Sequence, residues 1–398
     1  MAPETRAKRA RTGVADPPAA LHSDGGWASL TSGPAGLIAE RLLSSDVSSY
    51  LRFRAVCAAW RASCADPGVA DRRFHPRRWT MLPRAYNSRS GRRRFLNVST
   101  GECARARIPD LRSNYFLGTT AEGLLVLCRK DDHVVQLLNP LTGRLTDLPC
   151  ADTMLQTLWV DLRLGSFITV RSAGLADDST VALLYDTSDE RGMLAVAKPG
   201  DEQWTRLSLD DLAHHSIEPT MAAVMPYAGR LYCVTHKSIS VVETAADRKP
   251  RLAPVADHRL AGGQRWSCND WMYPVYDDGG DLILVHRNTE LTRRGERYMT
   301  YQAKLDTGDV VPTRGLGGQA LFLSSGRSVS VSAKISSSIS TDTVYVCDHG
   351  RKADAVAFDL LGASAAELNF GEDDKATCFH ESSAHDLKCF AFATPYIF

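Results

Sequence analysis

The sequence predicts a mainly β protein, in which a small helical unit precedes a β-propeller of about six or seven blades. Three observations lead to this fold class. Residues 27–64 hold apolar residues at helical spacing, and after residue 95 that spacing disappears. There, short runs rich in Val, Leu, Ile, Tyr and Phe alternate with Gly, Asp, Asn and Pro turns. No segment between these runs has the pattern of a long amphipathic helix, which argues against a βαβ architecture.

The runs after residue 95 predict about twenty strands, most of which are joined by short turns. "GLLVLC", "TVALLYD" and "DLILVHR" are typical of them. "LLNPLTGRLTDLP" and "AKLDTGDVVPTRGLG" share a layout of strand, Thr-Gly turn and strand, and glycine suits a hairpin turn because it accepts positive φ. At roughly 40 to 50 residues per blade, this length favours a propeller over stacked sandwiches.

Composition narrows the class of protein further. The chain has 398 residues, of which 44% are hydrophobic and 23% charged, and its net charge of +1 argues against binding polyanions through bulk electrostatics. No apolar run is long enough for a transmembrane helix, and the N-terminus lacks a signal-peptide core. The 10 cysteines are scattered singly without a CxxC pair, which indicates reduced thiols used as small apolar residues. We therefore expect a nuclear or cytoplasmic location and no membrane partner.

The chain is expected to have four parts. Residues 1–24 form a disordered basic tail, 25–66 a helical domain, 67–94 an Arg-rich connector and 95–398 the propeller. "RAKRAR" in the tail is either a nuclear import signal or a solvated basic segment. The connector is either a patch for nucleic acid or an acidic partner, or a solvated stretch that pairs with carboxylates such as those at 371–374. It holds nine arginines: Arg72, Arg73, Arg77, Arg78, Arg84, Arg89, Arg92, Arg93 and Arg94.

The helical unit is apolar beyond the needs of its own core. Asp46 is placed to cap a second helix, and Phe53, Val56, Cys57 and Trp60 follow the i, i+3, i+4, i+7 rule of one helix face. Two or three short helices bury little core alone, so this unit is expected to pack against something else. Exposed apolar ridges suit docking on the helices of a partner.

Catalytic motifs are missing from the sequence. It has no GxSxG elbow, no Walker loop and no HExxH, and we predict no catalytic residues, no cofactor and no metal site. Cys378, His380 and His385 have no second cluster to complete a metal site. An enzymatic propeller would need acid/base carboxylates on inner strands, which a sequence cannot place.

The aromatic run "WSCNDWMYP" (266–274) suits either a binding face or a buried core.

The N-terminal residues resemble a known family. "WASLTSGPAGLIAERLLSSDVSSYLRFRAVCAAWRAS" is similar to the F-box of plant F-box proteins that carry a C-terminal β-propeller of the KIB type. Downstream, "LLNPLTGRLTDLP", "DLILVHRN", "YQAKLDTG" and "DTVYVCDHG" resemble that family's landmarks in the family's order. The resemblance covers about residues 27–395.

This resemblance implies a substrate-receptor subunit of an SCF-type (Skp–cullin–F-box) ubiquitin ligase. The F-box would dock on a Skp-type adaptor and through it on a cullin, and the propeller would present an unknown target protein. Such a subunit has no active site of its own. The residues to which the resemblance assigns adaptor docking are Leu30, Leu37, Ile38, Leu42, Val47, Leu51, Phe53, Val56, Cys57 and Trp60.

One part of the box departs from the family. Members begin the box with Leu-Pro followed by a Leu pair, and here "LTSGPAGLI" has Thr31 in the proline position and Pro34-Ala35 in place of the leucines. The first helix is then expected to start near Pro34. The alternative is therefore a propeller that binds protein, glycan or nucleic acid outside any ligase, because its F-box is degenerate.

Overall fold

A computed structural model of the chain divides it into two compact units. The first surrounds the helices before residue 66, apart from Asp46–Ser48, and the second is formed by those three residues and the residues from Asp66 onward. The structure describes residues 27, 30–69, 71–82, 92–108, 113–155, 168–187, 190, 192–207, 223–235, 238–245, 248–257, 271–276, 281–288, 297–313, 315–323, 327–347, 354–361 and 364–369. The predicted basic tail at 1–24 lies outside these residues, as do Arg84, Arg89, the acidic residues at 371–374 and Cys378, His380 and His385.

Three helices make up the first unit: α1 (Ser32–Ser45), α2 (Val47–Val56) and α3 (Ala58–Ala62). Helix α1 buries Ala35, Ala39 and Leu43, which are four residues apart and therefore share one face. It begins at Ser32, two residues earlier than Pro34, because the Ala35 amide already donates to the Thr31 carbonyl. The small side chains at Ala35 and Ala39 let this face approach its neighbours closely.

The single helix face expected over residues 53–60 is broken at Cys57. This residue is extended, with φ −155°, and its thiol accepts a hydrogen bond from the Trp60 amide at 3.4 Å. A cysteine thus caps α3, a role that apolar spacing does not reveal. The rings of Phe53 and Trp60 still meet across the break and stack with centroids 4.3 Å apart. The Tyr50 hydroxyl, which donates to the Ala65 carbonyl at 2.6 Å, ties α2 to the end of the unit.

The described strands of the second unit form six sheets, which confirms a mainly β fold and fixes the propeller at six blades. The strands of the first three sheets are β1 (Trp79–Met81), β2 (Arg92–Asn97), β3 (Cys103–Arg107); β4 (Asn114–Thr119), β5 (Leu125–Arg129), β6 (Val134–Leu138), β7 (Leu145–Cys150); and β8 (Thr169–Leu175), β9 (Val181–Asp186), β10 (Met193–Ala197), β11 (Thr205–Leu207). The strands of the other three are β12 (Ala223–Tyr227), β13 (Arg230–Val234), β14 (Ser238–Ala245), β15 (Arg248–Asp257); β16 (Trp271–Tyr276), β17 (Leu282–Asn288), β18 (Arg297–Lys304), β19 (Asp309–Thr313); and β20 (Gln319–Leu323), β21 (Val329–Ser332), β22 (Thr343–Cys347), β23 (Asp354–Asp359), β24 (Ser364–Asn369).

Each sheet packs face to face on the next one along the chain. Strand β17 shows how: Leu282 and Leu284 join an apolar cluster with the fourth sheet, while Ile283 and Val285 join one with the sixth. Because successive side chains of a strand point to opposite faces, a middle blade buries both. This is why its strands read as continuous apolar runs rather than as alternating patterns.

The sixth sheet departs from the simple antiparallel order of the others. Strand β20 pairs with β21 antiparallel and with β22 in parallel, so that β21 lies at the edge of the sheet. This edge strand contacts β16 of the fifth sheet. The sixth and first sheets are joined where the Arg327 guanidinium donates to the Arg77 carbonyl at 2.9 Å. The ring of blades is thereby closed.

The first sheet takes two strands from the stretch expected to be a connector. Strand β1 lies wholly within residues 67–94, and β2 begins there at Arg92. Phe95 and Leu96 of β2 are buried, as is Trp79 of β1. The described sheets therefore begin before residue 95, and the arginines at 92–94 open a strand in which Arg92 is exposed and Arg93 and Arg94 are partly buried.

Among the described residues, no helix has both the length and the apolar character that crossing a bilayer requires.

Candidate functional site

A cavity of about 590 Å³ opens within the propeller, where β4, β8, β12 and β16 end and β21 begins. This volume is in the range of small-ligand and peptide side-chain pockets. The strands themselves contribute most of the wall, together with the turns that follow β4, β8 and β12 and with residues 72–78 ahead of β1. Its charged and aromatic lining residues are Arg72, His75, Arg77, Arg78, Glu122, Arg171, Asp177, Asp178, Tyr227, Tyr273, Tyr276 and Arg327.

The turn between β4 and β5 is held against the chain ahead of β1 by a glycine. Gly123 has φ +84°, which favours glycine, and a Cβ at this position would collide with the carbonyl oxygen of Pro76. Within the same turn, the Gly123 amide donates to the Thr120 carbonyl at 2.9 Å. This close approach brings Glu122 to the cavity wall beside residues 75–78.

Glu122 is buried and only half satisfied. Its side chain is 6% exposed, and its Oε1 accepts from the Leu175 amide at 3.2 Å. Its Oε2 has no hydrogen-bond partner among the described residues. Burial raises the pKa of the Glu122 carboxyl, against the lowering effect of backbone amides and of Arg327. Burial lowers the pKa of Arg327 to about 10, while the charge of Glu122 opposes that shift.

Four of the other charged lining residues already have ion-pair or hydrogen-bond partners. Arg72 pairs with Asp178 at 2.9 Å, and Arg171 lies 3.7 Å from Asp186. Asp177 accepts hydrogen bonds from the hydroxyls of Thr180 and Thr244, both at 2.6 Å. Burial tends to raise the pKa of Asp177, but these hydroxyls and two backbone amides outweigh it and lower that pKa.

The exposed side chains of Arg77 and Arg78 make no ion pair or hydrogen bond with any described residue. They leave positive charge beside His75, whose Nδ1 is buried and has no partner in the described part of the chain. Burial and the charge of Arg77 lower the pKa of His75 to about 4, with Asp71 opposing and Arg144 and Arg72 adding to the shift. This side of the cavity thus favours an anion.

Aromatic rings form another part of the cavity wall. Tyr227 and Tyr276 stack with centroids 5.6 Å apart and an interplanar angle of 15°. The Tyr276 hydroxyl is buried and finds no hydrogen-bond partner in the described residues. Burial raises its pKa well above the usual range, and the charge of Glu122 adds to that shift. Glu122 and Tyr276 therefore influence each other electrostatically, and both line the cavity.

Comparison with known proteins identifies the propeller. The sequence model of the family described as KIB1-4 beta-propeller matches residues 95–367, which is more than half of the chain. The chain belongs to this family. The KIB1-4 fold supports a protein-binding module. No curated protein matches the sequence.

Several solved structures resemble the KIB1-4 propeller at low identity. A Bacteroides caccae protein of unknown function is 12% identical, covers 74% of this chain and 94% of its own, and has a TM-score of 0.32. YCF48 from Cyanidioschyzon merolae is 9% identical, covers 70% of this chain and 74% of its own, and has a TM-score of 0.34. Virginiamycin B lyase from Staphylococcus aureus is 12% identical, covers 65% of this chain and 84% of its own, and has a TM-score of 0.28. At such values the likenesses carry no argument about function.

The predicted docking residues of the helical unit divide by exposure. Leu37 is 75% exposed and Val56 62%, whereas Val47 and Phe53 are buried. The others are partly buried: Leu30, Ile38, Leu42, Leu51, Cys57 and Trp60. Leu37 and Val56 therefore expose apolar surface, while Phe53 belongs to the buried core of the unit.

Sequence reasoning found part of the cavity in the KIB1-4 propeller. Met272, Tyr273 and Pro274, from the aromatic run suggested as a binding face, lie on its wall. Arg72, Arg77 and Arg78 come from the Arg-rich stretch. Glu122 and Tyr276 were missed, because neither belongs to a local motif. The unusual "AEGLL" turn, with Gly123 after a glutamate and before a strand, was the available signal.

Proposed function

We propose that this chain is the substrate-recognition adaptor of an SCF-type ubiquitin ligase. Its helical unit docks on a Skp-type adaptor and through it on a cullin, and its propeller binds the target protein. The observation that supports this most is the division into a small helical unit with exposed Leu37 and Val56, and a KIB1-4 propeller with an open cavity. In this role the chain supplies two binding surfaces and no catalytic group.

The "LTSGPAGLI" half of the box, which differs from the family pattern, is compatible with docking on an adaptor. Ala35, which stands where the family has leucine, is fully buried in the unit and is not offered to a partner. Leu37, two residues on, is the large apolar side chain that α1 exposes. A docking ridge shifted along α1 would keep an apolar contact despite the loss of the leucine pair.

The docking surface is tested by replacing the two exposed residues together. We expect Leu37→Asp with Val56→Asp to lower recovery of a Skp-type adaptor in co-purification by at least about 100-fold, because burying two such side chains is worth roughly 3 to 5 kcal/mol. Both positions are exposed, so the variant should fold normally. The matched control is Leu361→Asp, an equally apolar residue that is 66% exposed on the propeller. If wild type and double variant recover equally little adaptor, the ligase assignment fails.

A second candidate is a propeller that binds an acidic partner outside a ligase. Its support is the register of β2 on β3, which places Arg92 opposite Arg107 and Arg94 opposite Arg105. Like charges directly opposite each other across two strands are destabilising, and an acidic partner bound to this face would relieve that repulsion. Arg92, Arg105 and Arg107 are exposed.

Retention on a heparin column tests this second candidate. The variant Arg92→Ser with Arg107→Ser should elute at a lower salt concentration than wild type. Each lost contact with a phosphate or sulfate group means that binding releases about one counterion fewer, and the affinity for the column falls. Lys249→Ser with Lys334→Ser removes the same charge from exposed positions outside both the cavity and the β2–β3 face, and serves as the control. Equal shifts for the two variants would reduce the effect to net charge and remove this candidate.

A further inference from the structure

The cavity wall has two buried polar atoms for which the described chain supplies no partner, Glu122 Oε2 and the Tyr276 hydroxyl oxygen. Leaving a buried polar group without a hydrogen bond is costly, so the pair calls for a ligand that hydrogen-bonds both. A carboxylate oxygen accepts, whereas a hydroxyl can donate. A peptide group offers one N–H donor and one C=O acceptor, and therefore matches this pair.

The positive side of the cavity adds a second requirement. Arg77 and Arg78 are exposed and unpaired among the described residues, while Arg72 and Arg171 are neutralised by Asp178 and Asp186. An anionic side chain placed between Arg77 and Arg78 would gain charge-assisted hydrogen bonds from both. The Tyr227–Tyr276 stack on the cavity wall supplies apolar surface for the remainder of the segment.

We propose that the cavity binds an acidic peptide segment of the target protein. Its anionic side chain lies between Arg77 and Arg78, and a neighbouring peptide group donates to Glu122 Oε2 and accepts from the Tyr276 hydroxyl. The anion is a carboxylate or a phosphate, which share this chemistry. The inference rests on the proposed role of the propeller as the target-binding part, and it does not depend on docking by the helical unit.

Arrays of short random-sequence peptides provide the test. Tagged full-length protein is applied to four arms, in which the central residue is Glu, phosphoserine, Gln or Lys. We expect the Glu or phosphoserine arm to bind at least about tenfold more protein than the Gln and Lys arms, as one charge-assisted contact with two arginines would give. A preference for Glu identifies a carboxylate, and one for phosphoserine alone identifies a phosphate. Equal binding by the four arms overturns the proposal.

Two pairs of variants separate the cavity from bulk charge. Arg77→Ser with Arg78→Ser should abolish the preference for the anionic arms. Arg92→Ser with Arg107→Ser removes equal charge from β2 and β3, outside the cavity, and should leave the preference intact. If the second pair weakens anionic binding as much as the first, the cavity is not the site. Both variants should still co-purify with a Skp-type adaptor, so that a failure of docking is seen separately.

Tyr276→Phe distinguishes a binding role from a structural one. Removal of a buried hydroxyl without a partner should leave the thermal midpoint unchanged or raise it. The affinity for the selected peptide, measured by fluorescence polarisation, should fall by about tenfold if the hydroxyl donates to it. Unchanged affinity would contradict the peptide geometry proposed for this side of the cavity.

Discussion

Gly123→Ala is expected to destabilise the propeller by about 3 kcal/mol or more. The new Cβ would collide with the Pro76 carbonyl oxygen, which belongs to the backbone and cannot rotate away, and φ +84° strains any side chain. The turn between β4 and β5 would have to withdraw from the chain ahead of β1. Urea unfolding followed by tryptophan fluorescence should show a clearly lower midpoint.

Gly143→Ala is the matched control for this prediction. Gly143 has φ +76°, close to that of Gly123, but a Cβ there would meet no atom within 4 Å. The free energy of unfolding of Gly143→Ala should therefore fall only by the cost of placing alanine at positive φ, about 1 kcal/mol. If the two variants lose the same stability, the close approach at Pro76 is not present in solution. Because the same turn carries Glu122, Gly123→Ala should also weaken binding in the cavity.

His75 should make the propeller less stable in mild acid. Its pKa is about 4 in the folded chain, compared with 6.5 for an ordinary histidine. Above about pH 6.5 both states are neutral and this contribution is fully present. Between pH 6.5 and 4, His75 is protonated in the unfolded chain but stays neutral in the folded chain. The free energy of unfolding therefore falls as the pH falls. The total loss is up to about 3 kcal/mol.

Urea unfolding of wild type and His75→Gln over this pH range isolates the effect. The difference in unfolding free energy between the two proteins should change between pH 6.5 and 4 and level off outside it. Arg77→Ser should reduce the change, since Arg77 is the largest charged contributor to the lowered pKa. A difference that stays constant with pH would show that His75 is solvated in the folded protein.

The blades were predictable because both faces of their strands are buried. Runs such as "VALLY" and "LILV" are apolar without interruption, and β9 and β17 do contribute to clusters on both sides. The start of the first blade was not predictable in the same way. Arg92, Arg93 and Arg94 open β2, and three charges in a row indicate a solvated connector when their pairing with β3 is unknown.

The break at Cys57 and the cavity were hidden for different reasons. Cysteine is a rare helix cap, and the residues around it keep helical spacing, so the periodicity continues across the break. The cavity is assembled from the ends of strands in several sheets. Glu122, His75 and Tyr276 are distant in sequence, and only closure of the ring brings them to one wall. The docking residues of the helical unit stay a prediction, of which Leu37 and Val56 are the accessible part.

The hydrogen bond from Arg327 to the Arg77 carbonyl has a consequence for the synthesis of the chain. Its two residues are 250 positions apart, so the first blade leaves the ribosome long before its partner exists. Until then, the open face of the first blade and the newest blade both lack a neighbour. Such transiently exposed apolar strands are prone to aggregate, and chaperones act on them. Expression should therefore respond to chaperone supply during translation, and a chain ended before residue 327 should accumulate poorly.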